Sequence, residues 1–126
     1  MLLNDFAKGK SHDSAVNKRK EHNTMWAYKS VFYQIYPLGL CGAPFENDGV
    51  ETHRINRISD WLPHIKELGA DTVYFSPLFE SDTHGYNTRD YFKIDCRLGT
   101  NEDFKAITRK CTIWVSRLCL MVYLIT

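Results

Sequence analysis

Two short apolar runs, each followed by turn residues, predict two β-strands. The first extends from Val31 to Tyr36, is rich in β-branched and aromatic residues, and stops at Pro37. The second extends from Asp71 to Ser76 and stops at Pro77, which has no amide hydrogen to donate to a sheet. Both runs have the length and composition of buried strands.

A helical pattern separates the two strands. Apolar residues recur every three or four positions from Ile55 to Leu68, which predicts one amphipathic helix of about 13 residues on the outside of the sheet. Gly69 is a C-cap signal, and Asn56 or His53 is expected to cap the start. Pro63 removes a backbone donor, so we expect the first turns to bend or loosen.

Strand, helix and strand in this order form a βαβ unit, in which the strands are parallel and the crossover is right-handed. The loop after the second strand then opens at the carboxyl edge of the sheet, where barrel enzymes keep their active sites. A long loop rich in polar and aromatic groups indicates a functional surface, although a solvated loop over packed aromatics is the alternative. The loop contains His84, Gly85, Tyr86, Asn87, Arg89, Asp90 and Tyr91.

Residues from Leu98 to Lys110 predict a second helix. The sequence Thr100-Asn101-Glu102-Asp103 fits a capping box, in which the Thr hydroxyl accepts from the third helical amide and Asp103 accepts in return. Phe104 and Ile107 begin an apolar stripe that Cys111 continues.

The overall composition is that of one soluble globular domain. The chain has 126 residues, of which 44% are hydrophobic and 25% charged, and a net charge of +1 gives no reason to expect a nucleic-acid partner. The start, from Met1 to Asp5, lacks a signal-peptide core, and the apolar run near the C-terminus is too short for a membrane span and contains Arg117. A cytoplasmic protein without a membrane partner is therefore expected.

The four cysteines show no metal-ligand spacing and no C-x-x-C pair. Buried free thiols in a reducing compartment are the favoured interpretation, with disulfides as the alternative.

Five features in order resemble the N-terminal part of the catalytic barrel of the alpha-amylase superfamily of glycoside hydrolases. The resemblance covers roughly Ser30 to Lys110. The features are Tyr33-Gln34-Ile35-Tyr36-Pro37, the helical stretch Asp60 to Gly69, the strand Asp71 to Ser76, His84-Gly85-Tyr86, and Asp90-Tyr91 through Asp95 to Gly99-Thr100.

The resemblance implies an α/β fold, the N-terminal fragment of a (β/α)8 TIM barrel. A closed barrel of this kind needs about 250 residues, so we expect about two βα units with parallel strands and an open barrel. The expected organisation is a flexible N-terminal tail at residues 1–29, a partial catalytic barrel at 30–110 and an apolar tail at 111–126.

The apolar tail allows two interpretations. One long helix can be traced through Trp114, Leu118 and Ile125, but exposed apolar side chains would surround it. The alternative is a shifted reading frame near Lys110 to Cys111, so that the tail stands where the family has its third strand.

The codon table motivates the second interpretation. The codons of Trp114 and Met121 end in G, and the valine codon that follows each begins with GT. The frame that starts at the third base of each written codon must therefore encode a glycine at both places. That frame also permits Asp-Gly followed by Asn-His, which is what the family has next. The coding DNA tests this hypothesis.

The resemblance implies substrate-binding roles for four residues. Tyr86 matches the tyrosine that stacks on the sugar beside the scissile bond. Such stacking is favourable because a flat aromatic face suits the axial C–H groups of a pyranose. His84 matches a supporting position near the same ring. Tyr36 matches a tyrosine near the sugar-binding floor, with a core tyrosine as the alternative. Asp90 is expected to accept hydrogen bonds from Arg89 or Tyr36 and brace the loop, and a structural role is the favoured one.

No residue is assigned a catalytic role. Retaining hydrolysis needs two carboxyl groups about 5 Å apart, and the family's nucleophile, general acid and third aspartate come from later strands. Family members often bind calcium through the Asn-His region, which the written frame lacks, so we expect no metal and no cofactor.

The predicted function is that of an alpha-amylase-type glycoside hydrolase acting on α-glucans or maltodextrins, here truncated and inactive. Unpaired sheet edges and one uncovered sheet face are expected to favour aggregation. A transglycosylase or isomerase of the same family is one alternative, and a non-enzymatic carbohydrate-binding or interaction protein is another. The sequence leaves the oligomeric state open.

Overall fold

The computed structural model describes residues 26–123. The chain divides into two compact units, Met1–Ser30 and Val31–Thr126. In the first unit, the Ser30 hydroxyl donates to the Trp26 carbonyl across one helical turn. The predicted flexible tail lies almost entirely outside the described residues and stays a prediction.

The second unit contains the elements that position the candidate site. In the described part of the chain they are β1 (Phe32–Ile35), α1 (Pro37–Leu40), a 3-10 helix (Arg54–Trp61), α2 (Leu62–Glu67), β2 (Thr72–Phe75), β3 (Phe79–Ser81), β4 (Thr88–Ile94), α3 (Asn101–Trp114) and β5 (Arg117–Leu120).

Three strands form a parallel sheet in the order β1-β2-β5. Phe32 pairs with Thr72 and Ile35 with Phe75, which confirms the predicted parallel pairing of the first two strands. Strands β3 and β4 form a separate antiparallel hairpin with irregular register. Since β1 and β5 have one strand neighbour each within residues 26–123, the sheet is open, as expected for a partial barrel.

One face of the parallel sheet packs against the helices. Val73 and Phe75 of β2 are fully buried, and they belong to one hydrophobic cluster with Ile58, Ile65 and Ile107 from the helices. Side chains alternate between faces along a strand, so the neighbours of these residues point the other way. On that second face Phe32 and Gln34 are exposed, which agrees with the expected uncovered sheet face.

The prediction of one continuous helix between β1 and β2 is wrong. A 3-10 helix precedes α2, and Pro63 lies in the first turn of α2, where a missing amide hydrogen costs little. The predicted loosening therefore occurs before the proline. Gly69 is confirmed as the C-terminal stop, with φ +79°. His53 precedes the 3-10 helix without a side-chain capping bond, and the Asn56 amide donates to the His53 carbonyl, so neither caps the helix as predicted.

The capping box of α3 is confirmed. Thr100 Oγ1 accepts from the Asp103 amide at 3.1 Å, and Asp103 Oδ2 accepts from the Thr100 amide at 2.8 Å. Because these bonds satisfy orphan amide groups of the first turn, they explain why the helix begins at Asn101.

The apolar tail is not one long helix. Helix α3 continues across Lys110 and ends at Trp114, where Val115 is extended, and β5 then pairs with β2. Leu118 lies opposite Val73, so the tail occupies the position of a third parallel strand. The shifted reading frame itself stays a prediction.

Within residues 26–123, no helix combines the length and apolarity that crossing a bilayer requires.

Candidate functional site

The candidate site lies at the carboxyl ends of the parallel strands. Tyr36 follows β1, the long loop beginning at Ser76 follows β2, and Met121 follows β5. The Ser76 amide donates to the Ile35 carbonyl at 2.9 Å, and the Met121 amide donates to the Phe75 carbonyl at 2.8 Å. The chain segments that leave these strands therefore start side by side, as the βαβ topology predicted for the loop.

Three of the four predicted site residues come together at this edge. Tyr36 Oη donates to the His84 carbonyl at 2.9 Å, and His84 Nδ1 accepts from the Tyr86 amide at 3.1 Å. The rings of His84 and Tyr86 lie 5.8 Å apart. Tyr86 is 37% exposed as a residue, so it is partly accessible to solvent. We call Tyr36, His84 and Tyr86 the aromatic wall.

Two glycines make room for the aromatic wall. Gly85 has φ +96°, and a Cβ atom there would lie 3.1 Å from Pro77 Cβ and 3.4 Å from Leu38 Cδ1. A Cβ atom on Gly39 would lie 2.7 Å from Tyr36 Cδ1. The Gly39 backbone thus lies against the Tyr36 ring, and the Gly85 backbone lies against Pro77 and Leu38, which only glycine permits without a shift.

The pKa of Tyr36 is raised. Burial is the main cause, the Arg97 charge opposes it, and Tyr86 and Asp95 add to it. Tyr36 is therefore a neutral hydroxyl at neutral pH, which is the form that donates to the His84 carbonyl.

The bracing role expected of Asp90 is wrong. Asp90 lies exposed on β4, and its carboxylate accepts from the Phe92 amide at 2.8 Å. Arg89 instead pairs with Glu80 and Asp82, at 3.3 and 3.0 Å, and Tyr36 donates to His84. The reason is strand geometry: adjacent residues of β4 project to opposite faces, so Arg89 and Asp90 diverge.

The main polar group that sequence reasoning missed is the pair of Asp95 and Arg97, both fully buried. Arg97 Nε and Nη2 donate to the two Asp95 oxygens at 2.8 and 2.7 Å. Arg97 also donates to the carbonyls of Pro44 and Phe45 and to the Ser81 hydroxyl. The pair therefore ties together β3, the end of β4 and the segment after α1. We call Ser81, Asp95 and Arg97 the buried base.

The protonation states in the buried base follow from these bonds. Burial by itself raises the pKa of Asp95, but hydrogen bonds from Arg97 and Ser81 outweigh it and hold the pKa below its usual value. The hydrogen bond to Asp95 raises the pKa of Arg97. Both groups are charged at neutral pH, and the bidentate geometry satisfies the carboxylate. The sequence signal for this buried pair was the position of Asp95 and Arg97 on either side of Cys96, within a segment bounded by the apolar residues Ile94 and Leu98.

Glu80 joins a second segment to the hairpin. Its oxygens accept from Asn47 Nδ2 at 2.8 Å and from the Cys96 amide at 2.9 Å. Asn47 Oδ1 in turn accepts from the Gly49 amide, where φ is +70°. The sequence Asn47-Asp48-Gly49 is typical of a turn, and this side-chain bond closes that turn.

Glu80, Asp95 and Cys96 place three possible ligand atoms within 4.8 Å of one another. The donor set does not suit a cation, because Arg97 and Ser81 already hold the Asp95 oxygens, and Arg89 and Lys93 lie beside Glu80. The pKa of Cys96 is raised, chiefly by burial, so the Cys96 side chain is a thiol and not the thiolate that binds metals. The cluster holds the hairpin together.

A further aromatic residue stands against the wall. The Tyr123 ring lies 5.7 Å from the Tyr86 ring, with the planes 79° apart. The Tyr91 hydroxyl of β4 donates to the Tyr123 carbonyl. The sequence offered no signal for this contact, because Tyr123 lies in the apolar tail.

A mostly apolar cleft of about 290 Å³ opens beside β1. It shares Tyr36 with the aromatic wall. Its lining residues are Tyr33, Gln34, Ile35, Tyr36, Gly39, Leu40 and Trp61.

The cysteines in the described residues are free thiols, as the favoured interpretation of the sequence predicted. Burial raises the pKa of Cys41 and of Cys111 to about 11, so both are protonated at neutral pH.

Residues 34–119 match the family model described as the alpha amylase catalytic domain. Among curated proteins, the chain is 42% identical over 82 residues to an oligo-1,6-glucosidase of Heyndrickxia coagulans, covering 64% of this chain and 14% of that protein. It is 34% identical over 95 residues to a salivary alpha-glucosidase of Anopheles gambiae, covering 74% of this chain and 15% of that protein. The chain thus spans only a small part of these relatives.

Solved structures agree with the fold. A cyclic alpha-maltosyl-(1→6)-maltose hydrolase from Arthrobacter globiformis, in complex with maltose, is 36% identical with a TM-score of 0.58, covering 75% of this chain and 25% of that one. The isomaltulose synthase of Protaminobacter rubrum is 33% identical with a TM-score of 0.62, covering 79% of this chain and 17% of that one.

Proposed function

Because the chain belongs to the alpha-amylase family, we propose that it forms the sugar-binding edge of a glycosidase that acts on α-glucans or maltodextrins. One observation carries the proposal: Tyr86 is partly exposed at the carboxyl edge of a parallel sheet, and Tyr36 and His84 hold it there. A pyranose can stack on such a ring, because its axial C–H groups suit a flat aromatic face.

Each residue of the aromatic wall has a separate proposed role. Tyr86 contacts the sugar ring, and His84 contacts the same ring from the side while its Nδ1 fixes the Tyr86 amide. Tyr36 positions the loop, since its hydroxyl is already bonded to the His84 carbonyl. We assign Asp90 a structural role in β4, since its carboxylate accepts from the Phe92 amide.

The proposal gives this chain sugar binding and no hydrolysis. Retaining glycosidases use two carboxyl groups about 5 Å apart, one as nucleophile and one as acid and base. The buried carboxylates of Glu80 and Asp95 are held by cationic side chains and by hydrogen-bond donors. Neither can act as a general acid in this arrangement. The catalytic carboxylates that the family resemblance implies belong to later strands.

Sugar titration of the full chain tests the proposal. We expect maltotriose to bind and to change the tyrosine and tryptophan fluorescence, and Tyr86→Ala to weaken binding about three- to tenfold. Phe92→Ala is the matched control, because Phe92 is 91% exposed on β4 and belongs to no part of the aromatic wall. An assay for new reducing ends should detect no hydrolysis. Equal affinities of Tyr86→Ala and the unchanged chain would contradict the proposal.

Two other functions remain open. The isomaltulose synthase among the similar structures favours an isomerase or transglycosylase of the same family, which product analysis of an intact protein would separate from hydrolysis. Sugar binding together with a complete gene that lacks catalytic carboxylates would favour a non-enzymatic carbohydrate-binding protein.

The coding DNA bears on the same question. We propose that the frame neighbouring the written one encodes Asp-Gly followed by Asn-His after Lys110. A DNA sequence that does not encode these residues in the frame starting at the third base of each written codon would refute the shifted reading frame. The cysteine pattern also leads us to propose a cytoplasmic location, which fractionation of the source cells would test.

A further inference from the structure

The turn after α1 contains an Asp-Gly pair, Asp48–Gly49, and no other aspartate or asparagine of the chain precedes a glycine. Both residues of the pair are exposed, and nothing lies within 4 Å of the position that a Cβ atom on Gly49 would take. Because glycine has no side chain and its surroundings are open, the Gly49 amide nitrogen is sterically accessible. The turn therefore places a carboxyl group next to an unshielded backbone nitrogen.

The Asp48 side chain is folded back along the main chain. Its Oδ1 atom accepts from the Val50 amide at 3.0 Å, so the carboxyl group lies beside the peptide bond between Asp48 and Gly49. Within the described part of the chain, no other hydrogen bond and no ion pair engages this carboxylate. Asp82, by contrast, is paired with Arg89 at 3.0 Å. The Asp48 carboxyl group thus stands close to the Gly49 nitrogen without a cationic partner.

We propose that Asp48–Gly49 is a modification site, at which the aspartate converts spontaneously to isoaspartate. In the first step the Gly49 nitrogen forms a bond to Cγ of the protonated Asp48 carboxyl group, whose hydroxyl leaves as water together with the amide proton. The product is a five-membered succinimide ring. In the second step water opens the ring at the Asp48 main-chain carbonyl, so that the chain afterwards runs through Cγ. One water leaves and one enters, and the mass is unchanged.

The contacts on either side of the turn show what the modification alters. Before it, Asn47 Nδ2 donates to Glu80 Oε1 at 2.8 Å, and after it the Thr52 amide donates to the Cys96 carbonyl at 3.0 Å. Isoaspartate inserts one additional carbon into the main chain between these two anchors and removes the carboxylate acceptor of the Val50 amide. We expect the loss of this hydrogen bond to lower the melting temperature by about 2–6 °C.

Asp90 is a control within the same chain. Its carboxylate likewise accepts from the amide two residues on, that of Phe92, at 2.8 Å, and Asp90 is also exposed. The residue that follows is Tyr91 in β4, whose side chain shields the backbone nitrogen that would have to attack. The two aspartates share exposure and the side-chain bond and differ in the following residue. We therefore expect isoaspartate at Asp48 and none at Asp90.

Peptide mapping of the full chain, after several weeks at physiological temperature and mildly acidic pH, tests the proposal. The modified peptide keeps its mass, elutes separately, resists cleavage before Asp48 by an aspartate-specific protease, and is methylated by an isoaspartyl methyltransferase. Mapping also separates Asp48 from Asp13, which precedes Ser14. Asp48→Ala should abolish the signal. Asp48→Asn should convert faster and gain about one mass unit, because the same ring then forms with loss of ammonia.

The chain unfolded in guanidinium chloride is the reference for the intrinsic reactivity of the pair. Isoaspartate at Asp48 in the folded chain, with none at Asp90, supports the proposal. If isoaspartate forms only in the unfolded chain, the folded turn protects the pair and the proposal is overturned. Equal conversion at Asp90 would overturn the part assigned to Gly49. An isolated isoaspartate form that melts with the unmodified chain would refute the expected structural effect. None of these outcomes depends on sugar binding.

Discussion

The aromatic wall and the buried base occupy the same loop region and differ in nearly every physical property. Asp95 and Arg97 of the base are fully buried and charged, and their side chains join three chain segments, namely the end of β4, β3 and the segment after α1. Tyr86 of the wall is partly exposed to solvent. The difference teaches that the rigid polar contacts lie beneath the surface, where they can hold the loop, while the exposed rings remain available for a ligand.

The largest expected effect comes from breaking the buried base. Arg97→Met leaves the Asp95 carboxylate buried without its partner, which costs about 3–5 kcal/mol in the free energy of unfolding. Urea denaturation followed by circular dichroism measures the loss. Adding Asp95→Asn should recover part of it, because the uncompensated charge is then gone.

The matched control for this prediction is Arg89→Met. Arg89 is half exposed and pairs at the surface with the exposed Asp82, while the buried Glu80, its other partner, keeps Lys93 and Asn47 when Arg89 is removed. A surface pair of this kind contributes about 0–1 kcal/mol. Equal losses in the free energy of unfolding for the two arginine variants would show that the buried base contributes no more to stability than the surface pair.

The next largest effect concerns Gly85, which lies between His84 and Tyr86 of the aromatic wall. Gly85→Ala should cost about 1–3 kcal/mol, because φ is +96° and the new Cβ would press on Pro77. Gly49→Ala isolates the backbone contribution, since Gly49 also has positive φ and nothing lies within 4 Å of its Cβ position. We expect thermal denaturation to show a larger loss for Gly85→Ala, and sugar titration to show weaker binding for that variant alone.

An exposed ion pair offers a contrast to the buried one. His53 Nδ1 lies 2.6 Å from Asp103 Oδ2. The hydrogen bond with Asp103 raises the pKa of His53, and the same bond, with that from Thr100, lowers the pKa of Asp103. The Glu51 charge adds to the rise of the His53 pKa.

The signs of these shifts set the pH window. The stability from His53 is complete below its ordinary pKa of 6.5 and is lost as the pH rises through the higher folded value. The stability from Asp103 is present above its ordinary pKa of 3.8 and is lost as the pH falls through the lower folded value. Melting temperatures between pH 5 and 8.5 should therefore decline across the upper part of the range. His53→Gln should flatten the decline, whereas His64→Gln, with the His53–Asp103 pair intact, should keep it.

The smallest effect concerns the open face of the sheet. Cys119 of β5 is partly exposed, whereas Cys41 and Cys111 are buried with pKa values raised to about 11. A thiol reagent should therefore label Cys119 first in the folded chain and the three buried thiols, those of Cys41, Cys96 and Cys111, only after unfolding. Equal labelling rates would show that the second sheet face is covered in solution.

The local pattern of the sequence was sufficient for the two parallel strands, the capping box of Thr100 and Asp103, and the turn at Asn47. Each depends on residues close together in the chain, where spacing alone decides which groups meet. It also placed the loop with Tyr86 at the carboxyl edge, because βαβ topology allows few alternatives. The prediction of one continuous helix between the strands was wrong, since packing of Ile55 and Ile58 against the core outweighed the α-helical spacing.

The sequence by itself determined the first two parallel strands, the helix that begins with the capping box, and the segment that carries the exposed aromatic residues, but it did not reveal the hairpin of β3 and β4 inside that segment. Only the tertiary structure decided that Arg97 reaches Pro44 and Phe45, that Arg89 turns away from Asp90, and that Tyr123 stands against Tyr86. Tyr86 and Tyr123 are 37 positions apart in the chain, and Arg97 is 53 and 52 positions from Pro44 and Phe45, so strand direction and helix packing bring these groups together. Contacts over such separations depend on how the elements pack, and no local pattern of apolar and polar residues encodes that packing.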